Sequence, residues 1–102
     1  MNRRLELQTK LEELIGNSNV YFQPPASVHL VYPCVVYTIG NGDVKYADDS
    51  IYQYVNSYTL TFIYKHPNID VIEKVLKKFQ MCRFDTAYCS ENLNHYIFTV
   101  YY

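Results

Sequence analysis

A change of hydrophobic period constrains this chain more than any other feature. From Ser57 to Tyr64 the residues alternate, with Tyr58, Leu60, Phe62 and Tyr64 on one side. Ser57, Thr59, Thr61 and, less regularly, Ile63 fall on the other. Period two in a run rich in aromatic and β-branched residues reads as a strand with one buried face. His66-Pro67-Asn68 ends it, because proline has no N–H to give to a ladder. Val71, Ile72, Val75, Leu76 and Phe79 then recur at i, i+1, i+4, i+5 and i+8, which is one face of a helix. Asp70 and Glu73 have the spacing of a capping box, with Asn68 as a rival cap. Glu73 is also placed to pair with Lys77 one turn on, and Lys74, Lys77 and Lys78 are left on the wet side. A half-buried strand and an amphipathic helix cannot close a core alone, so the rest of the chain must supply further strands.

The flanking sequence does so. The 102 residues suit a single domain, and 49% hydrophobic with 19% charged residues argues against disorder. From about Asn2 to Ile15, Leu7, Leu11, Leu14 and Ile15 define a first amphipathic helix, with Glu6 and Lys10 paired on its flank and Gly16-Asn17 as a stop. Val20-Tyr21-Phe22, halted by Pro24-Pro25, is at most an edge strand, and Ala26 to Pro33 reads as extended coil. Cys34 to Ile39 is a continuous apolar run between Pro33 and Gly40, the pattern of a strand buried on both faces. Gly40-Asn41-Gly42-Asp43 is the strongest turn signal and opens a polar loop, Asp43 to Ser50, that carries Tyr46, Asp48 and Asp49. Cys82 to Tyr88 reads as a strand, Ser90-Glu91-Asn92 as a turn, and Asn94 to Tyr101 as a last strand. In that strand Tyr96, Phe98 and Val100 face one way, and His95, Ile97 and Thr99 the other. The expectation is an α+β fold, one domain over residues 1–102, with two helices on a mostly antiparallel sheet in the order α-β-β-β-α-β-β.

Charge and motifs exclude several functions. A net charge of −1 gives no general attraction to phosphate, so nucleic-acid binding is not expected. No run approaches the length of a membrane span, and Arg3-Arg4 leads into Leu5-Glu6-Leu7-Gln8 instead of a signal-peptide core. Three cysteines, Cys34, Cys82 and Cys89, are too few for a disulfide framework and read as reduced thiols. Tyr46-Ala47-Asp48-Asp49 matches the short acidic pattern of reverse-transcriptase sites, but a polymerase needs a third carboxylate and several times this length. It reads as an acidic loop. His29, His66 and His95 lack partners at metal-ligand spacing, and Cys82 and Cys89, seven apart, are expected on opposite faces. Nothing places a nucleophile beside a base, and Gly16, Gly40 and Gly42 make no phosphate loop. No catalytic residue, cofactor or metal is predicted, and the chain is not expected to be an enzyme.

What stands out is tyrosine: twelve residues, with no tryptophan. Tyr favours half-buried sheet faces and protein interfaces. Tyr52, Tyr54 and Tyr58, and again Tyr96, Tyr101 and Tyr102, read as aromatic sheet surface able to mark a contact. Asn92-Leu93-Asn94-His95 supports two readings, since Asn serves turns and a polar cluster of this kind also serves protein contacts.

In order along the chain, Val20-Tyr21-Phe22-Gln23-Pro24-Pro25, Tyr32-Pro33-Cys34-Val35-Val36-Tyr37, Tyr46-Ala47-Asp48-Asp49-Ser50-Ile51-Tyr52 and Cys82-Arg83-Phe84-Asp85 are followed by Tyr88, Glu91-Asn92-Leu93-Asn94-His95 and the closing Tyr101-Tyr102. This succession resembles the small tail-terminator (tail-completion, head–tail joining) proteins of long-tailed bacteriophages over nearly the whole length. The chain departs from that pattern at Asp49, Thr86 and Glu91, where the family tends to have Asn, Arg and Asp, and near Tyr64, where it tends to have an acidic residue. A contact that relatives make through those positions is not carried over.

The resemblance implies a structural virion protein, made in the bacterial host cytoplasm, that forms a six-membered ring at the tail–head junction. Its implied partners are other copies of itself, the tail tube protein and the head-completion or connector protein, with no membrane and no specific nucleic acid. Tyr46, Asp48, Asp49, Tyr52, Tyr54, Asn92, Asn94 and His95 are the expected partner-binding residues. Two rivals are another neck component, such as a stopper, and a small ferredoxin-like dimer whose aromatic sheet face lines a ligand pocket. Reversing the charge of Asp48 and Asp49 together is expected to impair head–tail joining while leaving the melting temperature unchanged; a lowered melting temperature would refute their role as contacts.

Overall fold

The alternating stretch Ser57–Tyr64 is the middle strand of a five-stranded sheet, hydrogen-bonded to a neighbour on each side. The computed structural model describes residues 3–40, 43–47, 50–55 and 57–102, with 43–47 and 50–55 described by their backbone course. Its elements in chain order are α1 (Arg3–Ile15), β1 (Val20–Phe22), β2 (Cys34–Ile39), β3 (Asp43–Ala47), β4 (Ser50–Val55), β5 (Ser57–Tyr64), α2 (Asp70–Lys78), β6 (Cys82–Ser90) and β7 (Leu93–Tyr101). The main sheet runs β1-β2-β5-β7-β6, antiparallel throughout except for the parallel pair β1–β2. This is the expected α+β fold, and its sheet strands and two helices follow the expected order.

Register explains the core. Directly opposed residues share a face, so the rows Val35–Phe62–Tyr96 and Tyr37–Leu60–Phe98 lie on one side of the sheet. All six are buried there, with Leu7 and Leu11 of α1 and Val71, Val75 and Phe79 from α2 and its end in the same cluster. Phe98 sits at its middle, its ring 5.6 Å from Phe62 edge-on and 5.3 Å from Phe84. Tyr37 keeps its hydroxyl satisfied by donating to Gln8 Oε1 at 2.9 Å while accepting from Arg4 Nη1 at 3.3 Å. The Arg4 guanidinium also lies 4.7 Å over the Phe22 ring, which ties α1 to β1.

Among the described residues, no helix packs on the opposite face. Cys34 and Ile63 are nonetheless buried on it, while Thr38 and Thr59 are exposed. The link from β1 to β2 leaves through Gln23 (φ 45) and returns through a cis Tyr32–Pro33 bond. On the way the Val31 N–H donates to the Tyr21 hydroxyl at 3.3 Å, and Asn19 and Asn17 side-chain amides reach the Pro33 carbonyl. That segment therefore rests against the β1 side of the face.

Several local expectations change. Residues 43–47, read as part of a polar loop, form β3, which pairs with β4 as a separate two-stranded sheet. The Gly40-to-Asp43 turn signal falls largely on residues 41 and 42, outside the described residues. β2 is enclosed only from Cys34 to Tyr37; Thr38 and Ile39 are exposed. α2 uses no side-chain cap: Ile69 holds the N-cap position, and Val71 and Ile72 donate to the carbonyls of Asn68 and Ile69. Short backbone bonds thus replace the capping box, and Glu73 bonds to Lys77 at 2.7 Å as the spacing predicts. Lys10 is not drawn to Glu6; its ammonium lies 4.7 Å over the Tyr102 ring. Gly16 stops α1 as expected, at φ +81 with its N–H on Glu12 O.

Phe98→Ala removes a fully buried ring that touches two others. The expected loss is about 3–5 kcal/mol in a urea titration; a loss below about 1 kcal/mol would place the core elsewhere.

Candidate functional site

β6 and β7 are the two longest strands, nine residues each, and they join in a tight turn at Glu91-Asn92. Both turn residues have positive φ, 53 and 63, the conformation of a two-residue hairpin whose twist matches the flanking strands. Ser90 and Leu93 close it. The hairpin has two halves. In the half beside the helices, Cys82 and Phe84 are partly buried and pack on the core. From Asp85 to Ser90 every β6 residue is exposed.

A bulge separates the halves. Phe84 pairs with Phe98 and Thr86 with Ile97, so Asp85 is the extra residue. Its carboxylate accepts from Thr99 Oγ1 at 2.6 Å and from Arg83 Nε at 2.6 Å. Burial works to raise the Asp85 pKa, but those hydrogen bonds and the Arg83 charge outweigh it and leave the carboxyl below its ordinary value. The extra residue also overturns the parity expected for the cysteines. Cys82 pairs with Val100 and Cys89 with Asn94, positions on one face of β7, so the two thiols share a face instead of opposing each other.

The predicted contact residues divide between two places. Asn92, Asn94 and His95 gather at the exposed end of the β6–β7 hairpin. Asn92 is in the turn with positive φ, a conformation Asn tolerates, while Asn94 and His95 are half-buried on β7. The His95 ring stacks on Tyr88 with centroids 4.5 Å apart and planes 6° from parallel. Its Nδ1 lies 3.1 Å from the Leu93 carbonyl, which can only accept, so the proton sits on Nδ1 and Nε2 is left for another partner. Tyr46 belongs to β3 and Tyr52 and Tyr54 to β4, in the other sheet. Asp48 and Asp49 lie outside the described residues.

Tyr88, 48% exposed, is the contact candidate that sequence reading missed. It counted as the end of a strand and as one residue of the resemblance, not as a contact. The pair Glu91-Asn92 between two alternating runs was the available signal, since a two-residue turn there fixes Tyr88 opposite His95. Of the other tyrosines, Tyr58 and Tyr96 are core, and Tyr102 packs edge-on to Phe79 at 6.2 Å.

Two further concavities among the described residues are of note. One, of about 310 Å³, is lined by Pro33, Tyr64, Lys65, His66, Pro67 and Asn68. Burial pushes the Tyr64 hydroxyl up to about 12, with the Tyr96 ring beside it adding to the effect. The other lies between the helices, where Lys78 bonds Glu13 at 2.7 Å and Lys74 and Lys77 line the wall. Among the described residues, no three His, Cys, Asp or Glu side chains converge as metal ligands do. At the end of the β6–β7 hairpin, Asn92 and Asn94 offer amides for hydrogen bonding and Tyr88 and His95 an aromatic pair.

Burial raises the thiols of Cys34 and Cys82 to about 11, whereas Cys89 is exposed on β6. A thiol reacts as its thiolate. At pH 8 a maleimide or disulfide reagent is expected to label one thiol quickly and two slowly, with Cys89→Ser abolishing the fast phase. Fast labelling that survives Cys89→Ser would mean that Cys34 or Cys82 is open to reagent, against their burial.

No protein-family model matches the chain, and no curated protein matches it either.

Proposed function

We propose that this protein is a structural subunit of a phage or prophage virion: it forms a ring on the head-proximal end of the tail tube, ends tail growth and presents a surface for the head. The observation that carries the reading is the β6–β7 hairpin. Its outer half carries Tyr88, Asn92, Asn94 and His95 beyond the buried core, and β6 is exposed there along its whole length. An aromatic pair flanked by amides, standing clear of the helices, suits recognition of another protein surface. The order of residue clusters along the chain, which resembles tail terminators from Val20 to Tyr102, supports the same reading. So does the α+β architecture.

In this reading the second sheet, β3–β4, contributes Tyr46, Tyr52 and Tyr54 to contacts, with Asp48 and Asp49 between its strands in sequence. A ring built from identical copies joins one patch to a different patch on the next copy. One chain therefore has to offer two unlike surfaces. The partners are further copies, the tube protein below and the head-completion protein above.

Electron microscopy of a lysate from the phage or prophage lacking this gene tests the proposal. Overlong tails beside separate DNA-filled heads are the expected outcome. Tails of normal length, unattached and with leaking heads, would move the protein to the head side of the neck. Normal infectious particles would remove the structural role.

A further inference from the structure

The two edges of the main sheet are treated differently. β1 is three residues long and is followed by Pro24-Pro25, both of which discourage another strand from joining. β6 is nine residues long. Its first half carries the usual protections, a bulge and the charged pair Arg83–Asp85 at 2.6 Å. Its second half, Thr86-Ala87-Tyr88-Cys89-Ser90, has neither charge nor proline and is exposed throughout.

Ladder geometry says which backbone groups are free. Ser90 and Leu93 close a two-residue turn and so form a hydrogen-bonded pair. Alternation along an antiparallel ladder makes Tyr88–His95 and Thr86–Ile97 bonded pairs as well. At the far end the Tyr101 N–H bonds Met81 O at 2.9 Å, and the phase agrees once the bulge is counted. Ala87 and Cys89 fall between the bonded pairs, with their N–H and C=O groups turned away from β7.

A second unsatisfied element is present in the same chain. Among the described residues β3 and β4, five and six residues long, pair only with each other, and an isolated two-stranded hairpin is marginal in water. Either strand is as long as the open run Thr86–Ser90. We propose that the outer edge of β6 from Thr86 to Ser90 accepts a strand from the β3–β4 hairpin of a second copy of this chain. This rests on the ring reading and gives it a joint: the two elements are unlike, so pairing them between copies is head-to-tail and propagates around a ring. Pairing β6 with β6 of another copy would stop at two chains and leave the hairpin without a third strand.

Residue-resolved hydrogen exchange on the assembled protein, beside Ala87→Pro, tests it. Proline at an outward-facing edge position removes one N–H without breaking the bond to β7, so Ala87→Pro should stay folded. Ala87→Ser, which keeps the N–H, is the control and should assemble. Slow exchange at Ala87 and Cys89 and across 43–55 in the assembly, with rings lost only in Ala87→Pro, is the expected result. Rings in which Ala87 and Cys89 exchange quickly would overturn the joint and leave the ring reading standing. Protection of Ala87 and Cys89 without protection of 43–55 would overturn the hairpin as the occupant. Failure of the native chain to assemble, in solution or on tail tubes, would overturn both.

Discussion

The structure depends on β5 being paired on both sides. Its residues Tyr58, Leu60 and Phe62 form the core-facing row that joins the two halves of the sheet, through Ile39, Tyr37 and Val35 of β2 and Val100, Phe98 and Tyr96 of β7. Leu7 and Leu11 of α1 and Val71 and Val75 of α2 belong to the same buried cluster as that row. In a chain this short one apolar core carries the main sheet and both helices. β1 joins that sheet through β2 and β6 through β7, while both helices contribute side chains to the core directly.

This accounts for what could be read in advance. The period-two run 57–64 and the period-3.6 run 70–79 were legible because one face of each is the core itself. Tyr96, Phe98 and Val100 were legible for the same reason. β3 was not read, although Val44 and Tyr46 alternate with Asp43 and Lys45, because charge on one side of a short run resembles a loop. The start of α2 was misread for a different reason: a capping box is a local preference, and here backbone bonds from Val71 and Ile72 serve instead.

Candidate contacts were less visible than the core. Asn92 and His95 drew notice as a polar cluster, but Tyr88 takes its meaning only from being stacked on His95 across the hairpin. The bulge at Asp85 left no hydrophobic signature at all, and yet it decides which face each residue of outer β6 occupies. Interfaces are written in such pairings across strands, and a sequence lists strands one after another.

The bulge also divides β6 in a way that separates reach from stability. Phe84 and Phe98 hold the inner half to the core, and nothing beyond Thr86 on β6 is buried. The outer half is in effect a ruler whose length the core does not sense. Adding two residues to each strand next to the turn keeps every side chain on its present face and lengthens the arm by about 7 Å. Size and spacing at that end can thus drift among variants of this chain without any compensating change in the fold.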